Sequence, residues 1–232
     1  MMSRAATGAE IRQMFDRIAG RYDRANRVMS AGVDRWWRRK AIHLLLEGLG
    51  DAPCLLDLGA GTLDGAIAIA HARPRARVFG ADFSRNMLVR GKSKSGASRV
   101  AVQVADGQCL PYQSAVFDAA WSSFCVRNLR DLHQAMVELR RVVRPGGRIA
   151  ILEFFRPRRK RAFWDGFFNV RVLPLLGRMV TGDGAAYRYL PESIAGFCTR
   201  AELEHLLGEV GFSRVRGQDL FPAGVASLVV AE

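Results

Sequence analysis

Residues 56–65 read L-D-L-G-A-G-T-L-D-G. An apolar run ends in an acid, Asp57, a glycine loop follows, and a helix-compatible run begins after it. This is the pattern of a buried strand, a tight turn and a helix N-terminus. Glycine has no Cβ, so Gly59 and Gly61 let backbone N–H groups come close to a ligand. Dinucleotide enzymes place G-x-G-x-x-G here, the third glycine packing helix on strand. Asp64 stands where that third glycine would be. An acid at a helix N-terminus would meet a pyrophosphate with like charge, which disfavours an NAD-dependent oxidoreductase. No Tyr-x-x-x-Lys hydride-site motif is present either.

The pattern L-D-x-G-x-G-T instead resembles the first motif of S-adenosylmethionine-dependent methyltransferases. Their ligand is a sulfonium cation with an amino-acid tail, so neighbouring carboxylates are tolerated or useful. Downstream of the loop, strands and helices alternate. The patterning predicts strands over 54–58, 77–81, 100–105, 117–122 and 148–153. Helices are expected over 63–71, 85–93 and 132–143, the last ending before Pro145-Gly146-Gly147. A helix over 199–210 is opened by Thr199, with Glu202 three residues on as in a capping box. Residues 213–220 and 225–230 read as a closing antiparallel pair. Such alternation implies an α/β fold: a doubly wound, mostly parallel seven-stranded sheet, Rossmann-like, with helices on both faces.

Two segments fall outside the alternation. Residues 10–47 read as N-terminal helices, with Ile11, Met14, Phe15 and Ile18 at helical spacing, then Trp36, Trp37, Ile42, Leu45 and Leu46, and a break at Gly32. Residues 156–198 are basic, aromatic and Leu-rich, with Pro157, Pro174 and Pro191, and read as an inserted helical lid. The whole of 1–232 is expected to be one domain.

Composition narrows the class. Of 232 residues, 49% are hydrophobic and 25% charged, which suits a globular protein. No apolar run approaches the roughly 20 residues that span a bilayer. The N-terminal stretch has no apolar h-region, so a secretory signal is not expected. Cys54, Cys109, Cys125 and Cys198 lie too far apart for a zinc pair and read as reduced cysteines. His43, His71, His133 and His205 are scattered and show no metal-ligand spacing; no metal is expected. The net charge of +13 favours anionic partners. The run Arg156-Pro157-Arg158-Arg159-Lys160-Arg161, followed by Phe163, Trp164, Phe167 and Phe168, suits a membrane–water interface. The expected location is cytoplasmic, peripheral on the inner face of the cytoplasmic membrane.

In a doubly wound sheet, ligands bind beyond the C-terminal strand ends. Each predicted strand ends in a polar residue. Asp57 ends the first. Asp82 ends the second, 23 residues after Gly59, where an acid takes ribose hydroxyls. Asp106-Gly107 ends the third, beside an adenine edge. Ser122-Ser123 ends the fourth. Any one of these also reads as a cap or turn residue; all four in order point to the adenosyl cofactor.

Several longer stretches resemble the C-methyltransferases of ubiquinone and menaquinone biosynthesis. They are MFDRIAGRYDRANRVMSAGVDRWWRR (14–39), LDLGAGTLD (56–64), ADFSRNML (81–88), SFCVRNLRD (123–131), RVVRPGGRIAILEF (141–154), VLPLLGRMVTGDGAAYRYLPESI (172–194) and LGEVGF (207–212). The resemblance implies S-adenosyl-L-methionine as methyl donor, bound by Thr62, Asp82, Asp106, Gly107 and Ser123. It implies a prenylated quinol as acceptor, demethylmenaquinol or a ubiquinol precursor, and no nucleic acid. Departures are Leu63 and Cys125, where the family usually has glycine, Asp106-Gly107-Gln108 for a common Asn-Ala-Glu, and the ending LVVAE. Leu63 is expected to stiffen or narrow the loop.

Ring methylation of a quinol needs an ionised hydroxyl. Arg127, in F-C-V-R-N just past the fourth strand, is the first candidate to stabilise a phenolate. Asn128 is placed to hold a water or the second oxygen. Tyr187 and Tyr189, flanking Arg188, are candidates to contact the ring, with lid packing as the plainer reading. Tyr22-Asp23 is expected to close over the cofactor. Val172, Leu173, Leu175, Leu176, Met179 and Val180 suit a groove for the prenyl tail. The rivals are another small-molecule methyltransferase, an RNA methyltransferase and a non-catalytic membrane-associated scaffold of a quinone-biosynthesis complex. The RNA reading lacks N-P-P-Y and a paired-cysteine site; the intact Asp57, Gly59, Gly61 and Asp82 argue against the scaffold. A homodimer is left open.

Overall fold

The computed structural model describes residues 8–20, 30, 32–157, 184–220 and 226–232. Among the described residues two helices come first, α1 (Gly8–Ile18) and α2 (Val33–Leu46). Then follow β1 (Cys54–Leu58), α3 (Asp64–Ala72), β2 (Arg77–Asp82), α4 (Arg85–Lys92) and β3 (Val100–Val104). The second half holds β4 (Phe117–Ser123), α5 (Leu132–Val142), β5 (Val143–Glu153), α6 (Gly184–Gly196), α7 (Arg200–Glu209), β6 (Val215–Asp219) and β7 (Ser227–Ala231). Tyr22, the run 158–161 with the aromatics after it, and the apolar residues 172–180 lie outside the described residues.

The seven strands form one sheet in the order β3-β2-β1-β4-β5-β7-β6. Pairings are parallel from β3 to β5, and β7 runs antiparallel to both β5 and β6. The expected doubly wound α/β fold is therefore present. Between β1 and β4 the winding reverses, and crevices for ligands open at such a switch point.

Side chains alternate across a strand, so each central strand serves two layers. Leu55, Ala119, Trp121, Ala150 and Leu152 face one layer, packed with Trp37, Ile42 and Leu45 of α2 and Ile69 of α3. Leu56, Leu58, Ala120, Ile149 and Ile151 face the other, against Met136 and Leu139 of α5 and Leu203 and Leu207 of α7. Burial on both faces explains why β1 reads as an apolar run broken only by Asp57 rather than as an alternating one.

The structure moves one boundary substantially. β5 starts at Val143, directly after α5, and not at Arg148. Pro145-Gly146-Gly147 forms a bulge inside it: Phe117 pairs with Val143, yet Ala119 pairs with Arg148. Gly146 takes φ +73°, a region that favours glycine. Pro191 also lies inside α6 instead of breaking it. The capping box of α7 is as expected: Glu202 N–H donates to Thr199 Oγ1 at 3.3 Å, and Thr199 N–H to Glu202 Oε2 at 2.6 Å.

Leu63 turns its side chain into the core. Its φ is +66° at the N-cap of α3, and its side chain is fully buried. It fills space that two glycines leave: a Cβ on Gly80 of β2 would stand 3.1 Å from Leu63 Cδ2, and one on Gly91 of α4 would overlap Cγ. The left-handed backbone costs about 1–2 kcal/mol, while burying the side chain returns about 1.5–3 kcal/mol. Leu63→Ala should therefore destabilise the fold by about 2–4 kcal/mol through the cavity it leaves. Urea unfolding checks this, and a loss below 1 kcal/mol would show the site collapses freely.

Candidate functional site at the C-terminal strand ends

The glycine loop is tied to the neighbouring strand by its own amides. Gly59 and Ala60 donate to Ala81 carbonyl at 2.8 and 3.0 Å. Gly61 N–H donates to Asp82 Oδ2 at 2.8 Å, and Ser84 N–H donates to Asp82 Oδ1 at 2.8 Å. Asp82 thus fixes two loops with one carboxylate. Burial pushes it up to about 6, although the Ser84 and Gly61 amides pull the other way; Asp16 adds to the rise.

Asp57 sits on the layer of Leu55, under the first turn of α3. A Cβ on Gly65 would come 2.9 Å from Asp57 Oδ2 and overlap the Trp121 indole, so only glycine lets the helix start there. Burial raises Asp57 to about 7; Arg38 and the Ala66 amide oppose that rise, and Asp82 and Asp64 add to it. Gly59 likewise has no room for a Cβ, which would overlap Cys125 Sγ.

Other predicted cofactor residues lie on the same edge with distinct jobs. Thr62 is buried, and its Oγ1 accepts from Lys94 Nζ at 2.9 Å. The same ammonium holds Asp64 at 2.5 Å, so the charge that disfavours a pyrophosphate is taken up by Lys94. Asp106 accepts from Gln108 N–H at 2.9 Å. Gly107 is wedged where a Cβ would meet Leu58 and Leu129. Ser123 ends β4, while Ser122 Oγ donates to Leu58 carbonyl at 2.9 Å and belongs to the scaffold. From the N-terminal side, α1 closes on this edge. Ser84 Oγ donates to Asp16 Oδ1 at 2.5 Å, and Phe15 meets Phe83 edge-on at 6.3 Å.

The second cluster adjoins the first. Past β4 the chain turns through Phe124, at φ +55°, into one 3₁₀ turn, Val126–Asn128. Phe124 stacks on Phe154 at 4.7 Å, and Trp37 packs against both rings. Arg127 lies 5.8 Å over Phe154. Its Nη1 donates to Glu153 Oε1 at 2.6 Å and to Phe124 carbonyl at 3.0 Å, and its Nε donates to Ser193 Oγ at 3.3 Å. Tyr189 Oη donates to Asn128 Oδ1 at 2.9 Å. Burial raises the Tyr189 phenol, and the nearby Arg127 charge opposes that. Arg127, Asn128 and Tyr189 are therefore brought together, with α6 bound to the 3₁₀ turn. Tyr187 lies on α6, but its side chain is not among the described ones.

Sequence reasoning missed Glu153, Phe124, Phe154 and Arg38. Glu153 was legible only as an acid at a strand end in I-L-E-F. Arg38 carries a buried Nε without a hydrogen-bond partner among the described residues, and its guanidinium lies 5.7 Å over Phe124. No group of three or more His, Cys, Asp and Glu among the described residues is arranged to hold a metal.

Residues 3–231 match the model of the ubiE/COQ5 methyltransferase family. The chain belongs to that family. It is 40% identical over 227 residues to a ubiquinone/menaquinone biosynthesis C-methyltransferase UbiE of Syntrophotalea carbinolica, covering 95% of this chain and 93% of the relative. It is 42% identical over 225 residues to a demethylmenaquinone methyltransferase of Thermus thermophilus, covering 94% and 99%. Among solved structures, the cyclase SpnF superposes with TM-score 0.70 at 18% identity over 98% of this chain and 97% of that one. A Haemonchus contortus phosphoethanolamine N-methyltransferase 2 in complex with S-adenosyl-L-methionine gives 0.63 at 16%, covering 84% and 52%. These two likenesses concern the fold alone. As a member of the family the chain is a methyltransferase, as its motifs implied.

The raised acids give a test that needs no ligand. A carboxyl whose folded pKa lies above its unfolded value binds more protons when folded, so stability falls as pH rises from about 4 through the folded value. Wild type should lose stability relative to Asp57→Asn between about pH 4 and 7, by up to about 1.4 kcal/mol per pH unit. Denaturant unfolding across that range measures it, and parallel curves would remove the perturbed Asp57.

Proposed function

We propose that this protein transfers the methyl group of S-adenosyl-L-methionine to a ring carbon of a prenylated quinol, either demethylmenaquinol or a ubiquinol precursor. The observation that carries this reading is the joining of Arg127, Asn128 and Tyr189 immediately beyond β4, next to the loop of Gly59 and Gly61. The donor would lie along Asp57, Thr62, Asp82, Asp106, Gly107 and Ser123. Its ribose hydroxyls suit Asp82 at the end of β2, and its cationic sulfonium end tolerates the neighbouring carboxylates. Tyr22 would close over it.

In the reaction the quinol hydroxyl gives its proton to water. The oxyanion pushes an electron pair to the adjacent ring carbon, which attacks the methyl carbon. The carbon–sulfur bond breaks, its pair stays on sulfur, and S-adenosylhomocysteine results. The methylated carbon then loses its hydrogen as a proton, the ring oxygen is reprotonated, and aromaticity returns. A guanidinium does not act as the base, because its pKa exceeds about 12. Arg127 instead favours the phenolate by its charge, while Asn128, Tyr189 and Tyr187 hold the ring and its second oxygen. Alignment of the reacting atoms supplies up to about 7–11 kcal/mol.

The long prenyl tail requires the enzyme to reach the bilayer. No helix among the described residues is long and apolar enough to cross a membrane. The basic run at 156–161 and the aromatics after it support reversible docking on the anionic inner face, at about 1 kcal/mol per basic residue. A homodimer is compatible with this arrangement.

Purified protein, given labelled S-adenosylmethionine and short-chain demethylmenaquinol or benzoquinol under reducing conditions, should form a C-methylated product. Arg127→Ala should keep cofactor binding and lose about 100-fold or more in turnover; near-normal turnover would reject its role. Replacing Arg158, Arg159, Lys160 and Arg161 by neutral residues should weaken binding to anionic liposomes while activity on a short-chain quinol persists. Unchanged liposome binding would sink the docking surface.

A further inference from the structure

Glu153 has no part in the chemistry so far, yet it is the most enclosed acid near the site. It ends β5 with no exposed surface, and the side chain of its partner Arg127 is only 7% exposed. Besides the Nη1 contact at 2.6 Å, Oε1 accepts from Phe154 N–H at 2.8 Å, and Oε2 takes the Arg127 N–H at 3.4 Å. The carboxylate thus grips both the side chain and the backbone of Arg127. Burial raises Glu153 above the usual carboxylate range; Arg127 and the two amides oppose that rise without cancelling it. The titratable groups that face it among the described residues are Arg127 in the 3₁₀ turn, Cys125 before it, Tyr189 on α6 and Cys198 after α6. Arg127 is the cation among them.

A carboxylate in that place does two physical things. It fixes the guanidinium at one angle, which positions whatever the guanidinium faces. It also compensates the positive charge, so the field at a bound hydroxyl is that of an ion pair and not of a bare cation. A bare buried cation would lower the pKa of a neighbouring phenol further. It would also leave a weaker nucleophile, because the more stabilised phenolate gives its electrons less readily.

We propose that Glu153 is a positioning residue of the methyl transfer: it locks Arg127 beside the acceptor and, by balancing its charge, sets the pH at which the acceptor hydroxyl ionises. The inference rests on the proposed transfer to a quinol. Glu153 touches neither donor nor acceptor in this scheme and acts through Arg127.

The test is the pH dependence of kcat for wild type, Glu153→Gln and Glu153→Asp on one short-chain quinol. In Glu153→Gln the shape remains and the compensating charge is gone. The acid limb of kcat should move to lower pH by about one unit, with a plateau several-fold lower and KM for S-adenosylmethionine within about twofold of wild type, a working threshold for unchanged cofactor binding. In Glu153→Asp the charge stays but the carboxylate withdraws by one methylene. Its limb should stay in place while kcat falls several-fold. A merely structural role lowers activity in both variants without moving the limb in Glu153→Gln, and that result overturns the proposal. If Glu153→Gln does not fold, Glu153→Asp decides: a shifted limb or an unchanged kcat overturns it. Wild type is the control for the underlying reading. If wild type methylates no quinol, the proposed function fails; if it does and the variants behave otherwise than stated, only the role of Glu153 fails.

Discussion

One carboxylate joins the parts from which the site is made. Asp82 accepts from Gly61 with one oxygen and from Ser84 with the other. The first contact fixes the glycine loop after β1. The second fixes the N-cap of α4, whose Ser84 hydroxyl in turn reaches Asp16 on α1. Without Asp82 the loop, the second crossover and the N-terminal helix have no common point. It is held almost wholly out of water, which strengthens its hydrogen bonds and makes its ionisation costly.

Much of the fold was legible because buried parallel strands carry a plain signature. Cys54–Leu58 and Ile149–Glu153 are buried on both faces and apolar apart from Asp57 and Glu153, and the helices between strands have clear caps at Ser84, Asp131 and Thr199. The error at β5 has a physical cause. Pro-Gly-Gly normally signals the end of regular structure, but here Gly147 packs against Asp118 and Val143, and the bulge is absorbed within the strand. That packing depends on β4, which lies distant in sequence, so no local rule reports it.

The candidate site was legible where backbone chemistry dictates residue type, as at Gly59, Gly61, Asp82 and Gly107. It was not legible where a role depends on a partner. Glu153 acquires meaning only from Arg127, and Arg38 only from Phe124 and Asp57. Leu63 illustrates the reverse case. A residue that looked disruptive in the loop is accommodated by Gly80 and Gly91, on two other elements. The replacement is tolerable only as part of a set of three residues. Cys125 is paired in the same manner with Gly59, whose Cα it covers.

The sheet order has a consequence for how the chain is built. β7 comes last of the strands in sequence but lies between β5 and β6 in space. During synthesis the outer edge of β5 therefore waits, with Ile149–Glu153 unpaired on that side, until residues 227–231 have been made. An apolar open edge is a template for wrong pairing. The parallel core from β3 to β5 can form early, yet its flank is sealed only at the final stage. Between those two moments the flank of β5 is the part of the sheet open to wrong pairing.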